Sequence, residues 1–390
     1  MYRVIIASIL ALLVLFPFLP IEKKFSEKEI RLGMSGPFSG SKKNLGKEFL
    51  KGAESYFKYI NDDGGVYGRF IKVIHKDDRY EPKIAEENAK NLINQDKIFA
   101  FFGVIGTPTS KAILPIALKH DIPFLGAFSG ARFLRKPPNP LILNARASYE
   151  EEAERLISYF VDYKKLTRIA VFYQNDSYGR SGLNGVRKAL DKRNLKVIGE
   201  GSYKRNTLSV GNALYEISLT RPEAIILVAS TMPAVEFIKR ARRKDKIIKN
   251  IYFGALSFIS PKLLVKGLNY ETKHIIFSQV VPSPWKSRKK EVILYRELMS
   301  KYFPKSEFGF VSLEGYFAAR MTTEVFRDAG ADFTKSDFIK AMENLKLEIK
   351  NNLKSKKLSK RCGCLQRVHL SRYVDGDFKT IKVLKTDVEK

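Results

Sequence analysis

The chain has 390 residues, of which 44% are hydrophobic and 28% are charged. This length exceeds one ordinary core and suits two lobes, and the composition predicts a well-packed, soluble globular body. The absence of a repeat at a solenoid period excludes the repeat architectures. The formal net charge of +29 would attract nucleic acid, anionic lipid or an acidic partner.

The amino terminus begins with an apolar run. Residues 4–16 behind Arg3 are apolar except for Ser8, and the run continues to residue 21 before Glu22. A core of this kind behind a basic start predicts an export signal and a periplasmic or extracytoplasmic protein. No small-x-small cleavage pair follows, and no cysteine is present there for lipid attachment. Because residues 4–21 fall within the ~17–25 needed to span a bilayer, an uncleaved membrane anchor stays open as the alternative.

From residue 29 onward, short apolar runs alternate with amphipathic ones. Ile30-Arg31-Leu32 alternates like a strand, and the apolar residues that follow the next turn recur at helical spacing. The first series predicts strands at residues 30–34, 70–74, 98–104 and 123–128, and helices at 45–60, 82–93 and 110–119.

A second series of the same kind follows. It predicts strands at residues 168–173, 196–199, 224–228, 251–253 and 274–280, and helices at 150–160, 179–193, 210–219 and 233–242. Two successive series of this kind predict an α/β fold with two doubly wound, mostly parallel-sheet lobes. Right-handed crossovers would place helices on both faces of each sheet.

The last third of the chain returns to helices. Helices are predicted at residues 292–302, 308–330 and 335–344, without strands of their own, so we expect them to pack back on the first lobe. Two strands, at 368–373 and 378–384, flank a turn at Asp375-Gly376. Several crossings between the lobes make a multi-strand hinge. The predicted division is a signal or anchor at 1–25, a first lobe at 28–146 plus 282–346, and a second lobe at 147–281 plus 347–390.

The basic residues and the two cysteines point to no cofactor. Basic runs lie at residues 239–244, 286–290 and 346–361. They show no nucleic-acid-binding module and no interleaved aromatics at 354–357, so no nucleic acid partner is predicted. A lysine-rich solvated surface is favoured, with an anionic membrane surface as the functional alternative. Cys362 and Cys364 are too few for a disulfide framework and, with His369, incomplete as a metal site.

A set of short motifs resembles a known family. Ser35-Gly36-Pro37-Phe38-Ser39-Gly40 is followed by Gly64-Gly65-Val66-Tyr67-Gly68, by Ile122-Pro123-Phe124, and by Asp176-Ser177-Tyr178-Gly179. Their order and spacing over residues 29–344 resemble type I periplasmic binding proteins, and in particular the leucine/isoleucine/valine-binding group. The resemblance implies a small-molecule ligand held between two lobes and delivered to the membrane permease of an ABC importer.

Candidate ligand contacts lie where strands end. In open α/β sheets, ligands bind outside the carboxyl ends of the strands and near helix N-termini. The candidate ligand-binding residues are Thr107, Thr109, Phe128, Ser129, Tyr178, Thr231 and Ser257. For Thr107, Thr109 and Ser129, helix or turn capping is the competing interpretation. For Phe128, the competing interpretation is that its side chain belongs to the hydrophobic core.

The site departs from the family at two positions. The loop at residues 254–257 matches the family loop that carries a carboxylate for the ligand ammonium, yet it has no Asp or Glu. Gly130 stands where a Ser or Thr is expected. Because a buried ammonium without a counter-charge is costly, the sequence predicts an anionic or neutral polar head on an apolar or aromatic body, rather than a zwitterionic amino acid.

Two other functional classes share this fold pattern. An enzyme is not predicted, because G-x-S-x-G and G-x-G-x-x-G are absent and the histidines (His75, His120, His274, His369) are scattered. Residues 40–47 resemble a P-loop, but the stretch is one residue too long and Glu48 replaces its Ser or Thr. A ligand-sensing receptor of the same fold, signalling to a partner in trans, is the nearer alternative.

Overall fold

The computed structural model describes residues 24–244, 251–351 and 367–381. In these ranges strands and helices alternate through most of the chain, and the strands form two separate sheets. The predicted α/β fold with two mostly parallel sheets is therefore confirmed. The apolar run at residues 4–21, the pair Cys362 and Cys364, and most of the basic run at 346–361 lie outside the described residues.

The first sheet has five strands. They are β1 (Glu29–Gly36), β2 (Phe70–Asp77), β3 (Ala100–Phe102), β4 (Phe124–Leu125) and β5 (Ile142–Leu143). All pair in parallel, in the order β2-β1-β3-β4-β5. In β1, Ile30, Leu32 and Met34 are fully buried, as their alternation predicts. Because parallel strands end at one edge, the loops after β2, β3 and β4 lie at the same end of this sheet.

The second sheet has seven strands. They are β6 (Ile169–Gln174), β7 (Gly199–Tyr203), β8 (Ala224–Val228), β9 (Tyr252–Ala255), β10 (Ile275–Gln279), β11 (His369–Val374) and β12 (Asp377–Ile381). Their order is β12-β11-β10-β9-β8-β6-β7. The hairpin β11–β12 is antiparallel and adds to the parallel strands through β10. Its turn residues Asp375 and Gly376 have φ of 52° and 77°, the positive values that a tight two-residue hairpin turn requires.

Eleven α-helices connect the strands within the described ranges. They are α1 (Lys43–Asp62), α2 (Pro82–Asn94), α3 (Thr107–Lys119), α4 (Tyr149–Ile157), α5 (Ser177–Asp191), α6 (Gly211–Leu219), α7 (Thr231–Lys244), α8 (Pro261–Gly267), α9 (Lys290–Tyr302), α10 (Phe310–Ala329) and α11 (Lys335–Asn351). One turn of π-helix, Ser158–Tyr163, continues α4. None of the helices in the described ranges is both long and apolar enough to cross a membrane.

Most predicted elements are present, and three differ. The strand expected at residues 196–199 is wrong, because the chain pairs with β6 at Gly199–Tyr203 instead. This segment contains two glycines and a glutamate, and Gly201 lets the main chain of α6 lie against the strand. It forms the edge of the sheet through main-chain bonds, which an apolar pattern does not report. The two-residue strand β5 and the short helix α8 were not predicted.

The late helices pack on the first sheet's helices, as expected. Helix α10 crosses α1 with main chains in contact, because a Cβ on Gly52 would overlap the carbonyl of Ser312 and one on Gly315 would overlap that of Phe49. Phe338 of α11 packs its ring 4.9 Å from that of Phe99. We call the first sheet with α1–α3 and α9–α11 the first lobe, and the second sheet with α4–α8 the second lobe.

The chain passes between the lobes at residues 144–148 and again at 280–289. A further passage is implied by the order of α11 in the first lobe and β11 in the second. Such repeated crossings form a hinge that holds the carboxyl ends of the two sheets opposite each other. The bounds given above for the two lobes stay a prediction.

Candidate ligand-binding cleft

Side chains from the strand ends of both lobes meet in a closed cleft. Tyr80, after β2, and Phe128, after β4, belong to the first lobe, and Phe258, after β9, belongs to the second. The Phe258 ring lies 5.6 Å from that of Tyr80 and 5.8 Å from that of Phe128, and all three side chains are fully buried. The two lobes therefore touch directly at the expected edge.

Two predicted hydroxyls lie together in the first lobe. Thr107 is the first residue of α3, and its Oγ1 is 2.8 Å from Oγ of Ser129 and 3.3 Å from the hydroxyl of Tyr149. All three residues are buried. Their hydroxyl protons can rotate, so this group can donate to or accept from a polar ligand group.

Gly130 has a local reason to lack a side chain. A Cβ at this position would collide with the backbone nitrogen and ring of Tyr149, whose amide donates to the Gly130 carbonyl over 2.9 Å. The Tyr149 ring fills the space that the missing Ser or Thr would take. The second lobe thus supplies a tyrosine hydroxyl to a position that the sequence showed as unoccupied.

Thr109 is buried, but its hydroxyl is used within its own helix turn. Oγ1 donates to the carbonyls of Ile105 and Gly106 at 2.5 and 3.0 Å. The hydroxyl is therefore used by the backbone of the preceding turn, although it does not cap the helix, whose N-cap is Gly106.

Tyr178 and Phe128 belong to an aromatic cluster. The Tyr178 ring is 4.8 Å from Phe258 and 5.2 Å from Tyr149, and its hydroxyl donates to the Ala229 carbonyl over 3.3 Å. Phe128 contacts Phe258 on one side and Phe49 of the core on the other. Phe128 is therefore both a core residue and a cleft residue.

Arg146 is the residue that sequence reasoning missed. It lies in the crossing at residues 144–148, is 1% exposed, and places its guanidinium 4.7 Å from the centre of the Phe128 ring. Its Nη2 donates to Oε1 of Glu152 over 3.2 Å and to Oγ of Ser257. Its Nε and Nη1 have no hydrogen-bond acceptor in the described part of the chain. The only sequence signal was an arginine in the segment joining the two predicted series.

Glu152 supplies the carboxylate that the loop at residues 254–257 lacks. Helix α4 begins with a capping box in which the amide of Glu151 donates to Ser148 Oγ, and this fixes the turn that carries Glu152. Glu152 accepts from the Ser257 amide and hydroxyl, both at 2.8 Å, and from Ser278 Oγ at 2.6 Å. The inference that this position has no acidic group is corrected, because the group comes from another element.

A second acid, Glu314 of α10, faces Arg146 from the first lobe. Its Oε1 lies 3.5 Å from Arg146 Nε. Burial raises the pKa of Glu314 to about 7, with Arg146 acting in the opposite direction. Burial also opposes the charge on Arg146, but Glu314 and Glu152 outweigh it and raise the pKa of that guanidinium. Arg146 is therefore charged and fixed between acids of the two lobes.

Thr231 lies away from this group. Its Oγ1 accepts from the Ser260 amide over 3.0 Å, and it lines a separate groove of about 340 Å³ with Lys42 and Ser230. Of the seven predicted residues, five share the cleft: Thr107, Phe128, Ser129, Tyr178 and Ser257. Whether each of these residues touches a ligand stays a prediction.

Polar contacts close the rim of the cleft. Glu81 of the first lobe accepts from Arg205 and Asn206 of the second at 2.8 and 2.5 Å, and Lys42 Nζ donates to Asn206 over 2.5 Å. We call these four residues the rim latch. Burial, with Arg205 nearby, lowers the pKa of Lys42 to about 8.

Metal-binding side chains are not clustered in the cleft. Across the described ranges, no group of three or more His, Cys, Asp or Glu side chains is arranged to hold a metal ion.

Comparison with known proteins shows which family has this architecture. A family model for periplasmic binding proteins matches residues 29–360. The chain belongs to the periplasmic binding protein family. The resemblance seen in the motifs is confirmed, and the family consists of binding proteins rather than enzymes.

Relatives of known name agree with this placement. The chain is 28% identical over 173 residues to an amino acid binding protein of Pseudomonas aeruginosa, covering 44% of this chain and 46% of that protein. It is 25% identical over 224 residues to Leu/Ile/Val-binding protein homolog 7 of Brucella suis, covering 55% of each. The matched regions span about half the length of these relatives.

The fold is also that of a solved structure. A possible leucine/isoleucine/valine-binding protein from Rhodopirellula baltica superposes with a TM-score of 0.82 at 28% identity, covering 94% of this chain and 98% of that one. The likeness therefore extends over both lobes.

Proposed function

We propose that this protein captures a small organic solute with an anionic or polar head in its interlobe cleft, outside the cytoplasmic membrane, and delivers it to the permease of an ABC-type importer. The observation that carries the proposal is the buried Arg146 guanidinium at the junction of the lobes, whose Nε and Nη1 have no hydrogen-bond acceptor in the described part of the chain, although Nε lies 3.5 Å from Glu314 Oε1. Membership of the periplasmic binding protein family supports the role in solute capture.

The guanidinium favours an anionic head. Burying a charged group is costly unless its hydrogen bonds are made. Here Nη2 donates to Glu152, whereas Nη1 and Nε make no hydrogen bond with the described residues and Nε has only the ion pair with Glu314. A carboxylate oxygen of the solute, or a similar anionic oxygen, would accept hydrogen bonds from these nitrogens. The Thr107 and Ser129 hydroxyls lie on the first-lobe side of the same cleft.

The aromatic rings favour an apolar or aromatic body. Phe128 and Phe258 face each other across the lobes, and Tyr178 and Tyr149 complete the wall on the second-lobe side. Aromatic faces of this kind would pack well against a flat or branched apolar group once the lobes part to admit it. Closure of the lobes would then remove the solute body from water.

The local acids give little support to an α-ammonium group. Glu152 already accepts from Arg146, from the amide and hydroxyl of Ser257, and from Ser278. Glu314 has its pKa raised to about 7 by burial, so its charge is only partial at neutral pH. We therefore propose a solute whose head is a carboxylate without a neighbouring ammonium.

The test is calorimetry of the purified protein against matched solutes. The panel pairs aromatic and branched aliphatic monocarboxylates with the amino acids of the same skeleton, including leucine and valine. We expect the monocarboxylates to bind at least tenfold more tightly. Tight binding of leucine or valine with weak binding of their deaminated counterparts would overturn the proposed solute class, and native mass spectrometry of the purified protein would then identify the copurified solute.

A further inference from the structure

A large groove lies at the end of the second lobe that faces away from the cleft. Its volume is about 1200 Å³, and it is lined by Tyr252, the first residue of β9, and by Lys273 and His274, which precede β10. These are the amino ends of the parallel strands, whereas Ser257 and the cleft lie at the carboxyl ends. An occupant of this groove would leave the cleft free.

The groove is strongly basic. Six cationic side chains line it: Lys164, Lys239, Arg242, Arg243, Lys273 and Arg372. None of the six forms an ion pair with a carboxylate in the described part of the chain. The lining also contains two acids, Glu271 and Asp375, and Asp375 is paired with Lys379 outside the groove lining at 2.6 Å. We call these six residues the basic groove. It is a concentration of positive charge that the fold does not neutralise.

Two of the cations are held in place by the protein. Arg242 donates from Nη1 to the Glu271 carbonyl and from Nη2 to the Lys273 carbonyl, at 2.5 and 3.0 Å. Lys164 Nζ lies 5.3 Å from the ring centre of Tyr163 and 5.9 Å from that of Tyr252. Such contacts reduce the entropy that these side chains would lose on binding an anion.

Apolar and aromatic side chains are exposed at the same end of the lobe. Tyr270 is 64% exposed, Leu219 at the end of α6 is 66% exposed, and Tyr163 is 42% exposed. Tyrosine with lysine and arginine is the composition of surfaces that lie at the boundary between water and lipid. An exposed leucine does not contribute to binding nucleic acid. The combination of basic, aromatic and apolar side chains therefore favours a membrane surface as the partner.

We propose that the basic groove binds the phosphate-bearing headgroups of anionic phospholipid and seats the second lobe on the membrane surface. Clusters of four to eight lysines and arginines bind such headgroups, each cation contributing about fivefold to the affinity. The occupant would lie at the far end of the lobe from Arg146, so this role is independent of the solute that the cleft binds.

The experiment uses the full chain and sedimentation with phosphatidylcholine vesicles, with and without phosphatidylglycerol. The test variant carries Arg243→Gln, Lys273→Gln and Arg372→Gln, all at exposed positions. The control variant carries Lys83→Gln, Lys111→Gln and Lys119→Gln, which are exposed in the first lobe and give the same net charge. The apolar run at residues 4–21 is common to all three proteins.

We expect phosphatidylglycerol to strengthen binding of the wild type and the control variant, and the test variant to lose about 100-fold of that gain. The proposal is overturned if phosphatidylglycerol has no effect, if both variants lose binding equally, or if a short DNA duplex is bound more tightly than the anionic vesicles at the same salt concentration. Should the triple variant fail to fold, Lys273→Gln alone is expected to lose about fivefold.

Discussion

At the scale of single residues, the positions of the strand ends in the sequence predict the side chains that line the cleft, but they do not predict its charged centre, Arg146 and Glu152. Thr107, Ser129 and Ser257 were predictable because each follows a recognisable buried strand. Arg146 lies in a hinge crossing without a motif, and a sequence does not reveal that an arginine is buried. Glu152 looked like one of several acids at the start of a helix, and only folding brings it to Ser257.

The first prediction concerns the shape of the Arg146 guanidinium. Arg146→Lys keeps the positive charge for Glu152 and Glu314 but removes the planar fork and its additional donors. We expect affinity for a carboxylate solute to fall about 10- to 100-fold, with a much smaller change in the free energy of unfolding. Calorimetry and urea denaturation measure the two quantities.

Arg180→Lys is the matched control, because Arg180 is exposed on α5 of the second lobe. It should leave solute affinity unchanged. Equal affinities for wild type and Arg146→Lys would show that Arg146 does not contact the solute.

The second prediction concerns Glu314 and pH. Since burial raises its pKa from 4.5 to about 7, the folded state holds this proton more tightly than the unfolded state. The free energy of unfolding should therefore fall as pH rises from about 4.5 to about 7, by up to about 3 kcal/mol from this group. Asp78, whose pKa burial raises to about 7, adds a slope of the same sign.

Urea denaturation at a series of pH values checks this behaviour. Glu314→Gln should flatten the decline without abolishing it, because Asp78 remains. Glu87→Gln, at an exposed position of α2, should keep the wild-type slope. An unchanged slope in Glu314→Gln would show that Glu314 is ionised in the folded protein throughout this range.

At the scale of elements, periodicity located nearly every helix and strand but not their contacts. The helical spacing of Leu45, Phe49 and Ile60 predicts α1, yet nothing in that spacing shows that Gly52 meets the main chain of α10. Edge strand β7 was misplaced because main-chain pairing, rather than an apolar pattern, defines it. Local sequence patterns therefore predict the helices and strands. The role of a small residue where two helices cross is seen only in the three-dimensional structure.

The third prediction tests that crossing. Gly52→Ala would push a methyl group into the Ser312 carbonyl, and neither main chain can yield cheaply. We expect the free energy of unfolding to fall by about 3 kcal/mol or more, seen as a lower urea midpoint. Gly211→Ala, at the start of α6, would bring the methyl group only into ordinary contact with Arg240 Nη1 at 3.8 Å and should be neutral or slightly stabilising. A neutral Gly52→Ala would contradict the close approach of the two helices.

At the scale of the whole molecule, the lobes are joined by the hinge and by the rim latch. Arg205 and Glu81 are 23% and 40% exposed at their side chains, so solvent weakens their attraction. The latch therefore contributes modestly to closure, while the buried contacts around Phe258 and Arg146 contribute the rest. Both sets must break when the cleft opens to admit or release a solute.

The fourth prediction is that Arg205→Ala favours opening. Loss of its contact to Glu81 across the lobes should speed solute release and weaken affinity about three- to fivefold, as expected for about 1 kcal/mol. Stopped-flow dissociation and solution X-ray scattering measure the release rate and the compactness. Arg187→Ala removes a comparable pair with Glu200 inside the second lobe and should change neither. If the two variants behave alike, the latch does not hold the lobes together.

The order in which the chain builds its sheets bears on its synthesis. Strand β10 keeps one edge open until the hairpin at residues 369–381 reaches it, and α1 stays uncovered until α10 has been made. Neither lobe can therefore be completed on a ribosome that has released only the first half of the chain. A polypeptide built this way stays incompletely folded through most of its translation, which is the state in which an export channel can thread it.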